Sequence, residues 1–118
     1  MDDDILSITE VIDDFVKERV EVMAVELVAD LVVKTPKDTT LAASSWVLSV
    51  GMPTDARPDE PNVLRPKANA IETLKESAFD YQEIYIQNNQ PYIVALNNGH
   101  SEKAPKMFVE TAIARAIR

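Results

Sequence analysis

Apolar residues recur every three or four positions through the first third of the chain: Ile8, Ile12, Phe15, Val16, Val20, Met23, Leu27 and Leu31. That spacing predicts an amphipathic helix over 8–33. No Gly or Pro interrupts it before Thr35-Pro36, and a residue preceding proline leaves the α region. Ser7-Ile8-Thr9-Glu10 fits a capping box, with Leu6 and Val11 at the positions of a hydrophobic staple. Seven valines from Val16 to Val33 lower helix propensity, but a strand of this length without a turn is implausible. Such a helix spans ~39 Å, against a diameter of roughly 35 Å for a compact chain of this size. It is expected either to be the spine of the domain or to project toward a partner. Val22, Val25, Val28, Val32 and Val33 lie partly outside the main stripe, and a helix apolar on more than one face needs more than one neighbour.

The period then changes. Trp46-Val47-Leu48-Ser49-Val50 alternates as a strand, with Trp46, Leu48 and Val50 on one face and Gly51 ending it. Residues 52–66 hold Pro53, Pro58, Pro61 and Pro66 among charges and read as a loop, mobile at its tip. Pro66 opens a helix over 67–78 with Ala70, Ile71, Leu74 and Ala78 as its inner stripe. A second strand covers 83–87, a short helix 91–97 starts at Pro91, and Asn98-Gly99 stops it. A last helix runs over 105–117 with Phe108, Val109, Ala112, Ile113, Ala116 and Ile117 on a broad apolar face. The expected class is α+β in a single domain, 1–118: a long N-terminal helix packed on a small antiparallel sheet, with a middle helix and a C-terminal helix.

Charge sharpens this picture. The chain of 118 residues has a net charge of −8. Residues 1–30 hold ten acids against Lys17 and Arg19, and the remainder is neutral. So the segment 1–34 is a long acidic helix before a neutral body. Residues 103–118 end basic, with Lys103, Lys106, Arg115 and Arg118 against Glu110. An acidic chain is a poor nucleic-acid gripper, because phosphate contacts need clustered Lys and Arg. The absence of cysteine excludes disulfides and thiolate metal sites. The start Met1-Asp2-Asp3-Asp4 is the reverse of a signal-peptide n-region, and no apolar run approaches a membrane span. A cytoplasmic protein with no membrane role is expected.

Candidate chemistry is sparse. His100 is the one histidine, and a sequence-adjacent Ser101 is not thereby in bonding geometry. Asp2-Asp3-Asp4 lacks ligand spacing and reads as a solvated tail outside the helix cap. Asp13-Asp14 read as a solvated face, and Gly51 and Gly99 cannot cradle phosphate. Tyr81, Tyr85 and Tyr92 have no basic stripe between them for stacking bases. These residues point to no enzyme, no metal and no cofactor.

Two segments carry a resemblance. Thr35-Pro36-Lys37-Asp38-Thr39-Thr40-Leu41-Ala42-Ala43-Ser44-Ser45-Trp46 resembles the T-P-x-D-T-G-x-A-x-x-S/N-W stretch of the small neck, or tail-completion, proteins at the head–tail junction of tailed bacteriophages. The stretch from Ile84 to Val109 is similar to that family's strand, N-x-x-P-Y, short helix, G-x-S-x-x-A-P and final helix, carried here by Asn88, Pro91, Tyr92, Gly99, Ser101, Ala104 and Pro105. The long helix before the first motif is similar too. Thr40 stands where the family usually has Gly, and threonine resists positive φ. Asn97 replaces a common Glu, and Lys103 a common Gln.

The resemblance implies a virion structural protein, assembled in the host cytoplasm into a homo-oligomeric ring. The ring would bridge the connector or head-closure proteins and the tail tube or tail terminator, and DNA would pass through it without specific binding. In that setting Val22, Val25, Val28 and Val32 with Arg115 and Arg118 are the expected interface, the first helix meeting a neighbour's C-terminal helix. Asp13, Asp14, Glu18 and Glu21 are the expected lumen acids, repelling phosphate. Two rival classes remain. An acidic adaptor or DNA-mimicking inhibitor would bind a basic partner one-to-one and salt-sensitively. A small hydrolase would lose activity on His100→Ala.

Overall fold

A computed structural model describes residues 2–36, 40–80, 82–91, 93–98 and 108–116, with the backbone course alone for 2–13, 95, 96, 108 and 116. The elements run α1 (Asp2–Lys34), α2 (Leu41–Ser44), β1 (Trp46–Val50), α3 (Arg65–Glu76), β2 (Ile84–Asn88), α4 (Ile93–Asn97) and α5 (Phe108–Ala116). The fold is α+β, as the pattern predicts.

Helix α1 is longer than its periodicity suggests. It begins at Asp2, so Ser7 lies inside a helix and is not its N-cap. Asp2, Asp3 and Asp4 form the first turn rather than a tail, where their charge suits the positive end of the helix dipole. Its 33 residues span about 50 Å, and the molecule measures 62 × 27 × 21 Å. The body packs on the C-terminal half of α1. Ala24, Val28, Leu31 and Val32 are buried there.

The strands pair antiparallel with Trp46 opposite Asn88, Leu48 opposite Ile86 and Val50 opposite Ile84. Their inward faces meet α1 in two clusters. Ala24, Val28, Leu48, Ala70, Leu74 and Phe79 form one, and Leu31, Val32, Ala43, Trp46 and Ala112 the other. Ile86 packs against both and makes the core continuous.

Helix α3 buries Pro66, Ala70 and Leu74. Ile71, expected inside, is 49 % exposed. Ala78, also expected inside, is exposed and lies beyond the helix end with φ 48°. That left-handed step turns the chain so that Phe79 enters the core instead. The loop 52–64 has neither helix nor strand, but β2 holds it closely. Thr54 N–H donates to Gln87 Oε1 at 2.8 Å, and Asn89 Nδ2 donates to the carbonyls of Thr54 and Ala56 at 3.1 and 2.8 Å.

Candidate functional site: a motif junction and an apolar groove

The two segments that carry the resemblance meet in one junction. Thr35 is buried at the end of α1, and its hydroxyl donates to the Leu31 carbonyl at 2.5 Å. The same oxygen accepts the indole N–H of Trp46 at 2.8 Å. Asn88, paired with Trp46 across the sheet, donates from Nδ2 to the Ala42 carbonyl at 2.8 Å. Its Oδ1 accepts Gln90 N–H at 3.2 Å. Gln90 in turn donates to Ser45 Oγ at 3.0 Å and to the Pro58 carbonyl at 2.9 Å. Ala42, Ala43, Ser44 and Ser45 are small enough for α2 to lie flat against α1, and all four are buried. The Ser44 hydroxyl accepts Asn62 N–H at 2.8 Å, while Arg65 donates to the Ser44 carbonyl at 3.1 Å. Each buried polar group here has a partner, as burial demands.

The turn before α2 is strained where the pattern of the family would place glycine. Thr40 has φ 59° and no side-chain cap bond, yet its carbonyl accepts both the N–H and the hydroxyl of Ser44. Asp38, Tyr92, Gly99, Ser101, Ala104, Pro105 and Arg118 lie outside the described residues, as does His100. Pro36 is buried and Pro91 exposed beside the junction. Of the junction's other polar residues, Ser45 stands at the S/N position of the first motif, while Ser44, Gln90 and Asn62 match no motif position. Polar residues among alanines and prolines were the available signal for them. Asn97 has a definite role: its Oδ1 accepts Val109 N–H at 3.0 Å, and its Nδ2 donates to Glu110 at 2.9 Å. A glutamate there could not make the second bond.

The expected interface is corrected in part. Val28 and Val32 are core residues of their own chain. Val28 is fully enclosed by the chain's own core and cannot meet a neighbour, whereas Val32 keeps an edge that lines the groove beside α3. Helix α5 packs on the α1 of the same chain through Ala112 and Val109, and Arg115 pairs with Asp30 at 3.6 Å. Asp30 also pairs with Lys34 at 3.3 Å. The acidic helix and the basic terminus thus meet within one copy. Val22 stays 45 % exposed and Val25 half-buried.

What α1 does expose is a groove beside α3. Val22 and Val25 line one end with Ile71 and Leu74, rimmed by Glu21, Glu26 and Lys67, around about 320 Å³. Ala29 and Val33 line the other with Val63, Leu64, Ala68 and Ile71, enclosing about 370 Å³. Leu64 is 78 % exposed there. Ahead of the groove α1 also exposes Phe15, at 67 %, and Val16. Lys17 fastens α1 to the body through Asp80 at 2.7 Å. Of the expected lumen acids, Asp14 and Glu18 are exposed and Glu21 lines the groove; the Asp13 side chain lies outside the described residues.

Among the described residues no cluster of His, Asp and Glu could hold a metal ion, and no helix is long and apolar enough to cross a membrane. Comparison with known families, with curated proteins and with solved structures finds no match to this chain.

Proposed function

We propose that the chain is a structural subunit of a tailed phage, a neck or tail-completion protein that assembles as a ring at the head–tail junction. The observation that carries this reading is the junction itself. The two resembling segments, far apart in sequence, pack as one hydrogen-bonded unit through Trp46, Thr35, Asn88 and Ala42. Its polar groups are engaged in fixing chain geometry, which suits a rigid building block. The apolar groove and the exposed Phe15 and Val16 of α1 supply surface for neighbours, since patches of this kind mark interaction sites. In this role the protein has no substrate and needs no cofactor, and DNA passes through without being gripped.

The test is genetic and visual. Disrupting the gene in its phage should leave filled heads and finished tails unjoined in electron micrographs of the lysate. Joined, infectious particles formed without the protein would refute the proposal.

A further inference from the structure

Strand β2 keeps one edge open. Gly51 N–H donates to the Glu83 carbonyl at 2.8 Å, one step beyond the Val50–Ile84 pair. Bonded and non-bonded pairs alternate along an antiparallel ladder, so the bonded pairs are Ser49–Tyr85 and Val47–Gln87. Ile84 and Ile86, facing Val50 and Leu48, turn their N–H and carbonyl groups away from β1. Among the described residues these groups make no other hydrogen bond. They stand in two sets about 7 Å apart along the strand. The outer edge of β1 is closed: Leu48 is 2 % exposed, and α3 packs along that strand. Every residue of β2 stays partly exposed, and β1 is the one described element that runs closely alongside it. Sheets shield a free edge with proline, charge or a bulge. Ile84-Tyr85-Ile86-Gln87-Asn88 has no proline and no charge, and its register is unbroken.

We infer that β2 takes on a third strand: an extended segment of a different protein pairs with the edge at Ile84 and Ile86 through main-chain hydrogen bonds. A row of donors and acceptors at strand spacing is complementary to extended polypeptide. A helix does not fit it, because its main-chain groups are spent internally. The side chains of β2 set the rest of the match. The incoming strand carries apolar residues beside Ile84 and Ile86, continuing the inward face, and polar ones beside Tyr85 and Gln87. Residues 79–88 hold Asp80 and Glu83 and no base. Asp80 is paired with Lys17, whereas Glu83 accepts from Tyr85 and makes no ion pair among the described residues. A base on the incoming strand opposite Glu83 completes the match, since opposite charges across a sheet attract. A neighbouring copy has only its own β2 edge to offer among the described residues. Pairing β2 with β2 about a two-fold axis closes a dimer and does not repeat round a ring. The choice of a different protein thus rests on the ring proposed above, while the open edge stands on the hydrogen bonds alone.

Hydrogen exchange at single amides reads the edge. In the purified full chain the Tyr85 and Gln87 amides should be protected, and those of Ile84 and Ile86 should exchange freely at every protein concentration. In joined particles purified from a tailed phage that carries this gene, the Ile84 and Ile86 amides should slow by about tenfold or more, as amides paired into a ladder do. A genetic arm removes the outward donor. Ile84→Pro lacks that N–H at the first residue of the strand, where proline is tolerated, and should fail to restore joining in gene-disrupted phage. Ile84→Ala, which loses the side chain and keeps the N–H, should restore it. If Ile84→Pro does not melt like Ile84→Ala, the exchange measurement decides alone. Three results would each overturn the inference: Ile84 and Ile86 amides that stay fast in the particles, a folded Ile84→Pro chain that restores joining, and protection in the purified chain that grows with concentration, which gives the edge to a second copy. Failure of the phage reading shows separately, as particles that lack the protein, and it removes the named source as well.

Discussion

Thr35 shows how one hydroxyl organises a junction: it donates to Leu31 and accepts from Trp46. Thr35→Val keeps the shape and strands the buried indole N–H. It should cost about 1–3 kcal/mol of stability, read from denaturant midpoints. Thr40 is the opposite case, a β-branched residue held at φ 59° with no cap bond to lose. Thr40→Gly should raise stability by about 1 kcal/mol, because the relieved strain exceeds the added freedom of the unfolded chain. Tyr85 sets an alkaline limit. Its hydrogen bond to Glu83 above all, then burial and the negative charge of Glu83, hold the phenol above its ordinary 10.0. The folded state therefore favours the neutral phenol. That contribution is complete below the unfolded value and is lost as pH rises through the folded one. Glu83→Ala should bring the spectrophotometric midpoint of Tyr85 down toward 10.0.

At the scale of elements, regular periods were legible and their ends were not. The alternation over Trp46–Val50 predicts the strand that forms, and Leu48 lies fully inside it. Leu48→Ala should cost about 2–5 kcal/mol, measured by the same unfolding curves. The start of α1 is not legible in the sequence because a capping box competes with three aspartates at a helix dipole, and local spacing does not rank the two. The inner face of α3 departs from the pattern at Ile71 and Ala78 because burial depends on where Phe79 returns, which a left-handed alanine decides. The junction was half legible. Motif spacing marked Thr35, Trp46 and Asn88, whereas Gln90 and Ser45 meet only through the antiparallel pairing of β1 and β2. The face of α1 was ambiguous for the same reason: seven valines are compatible with several neighbours, and tertiary packing assigned Val28 and Val32 to the core.

At the scale of the molecule, the charge separates into a projecting acidic helix and a neutral body, and α5 satisfies part of it through Asp30. Among the exposed residues are large apolar side chains: Phe15 ahead of the groove, and Val22, Leu64 and Ile71 along it. These surfaces support the proposed assembly into a ring. The proposal is tested most directly by quantitative mass spectrometry of purified virions from a tailed phage that carries this gene. The account predicts that the chain is present at a copy number near a ring multiple. Its absence from purified virions would contradict the account.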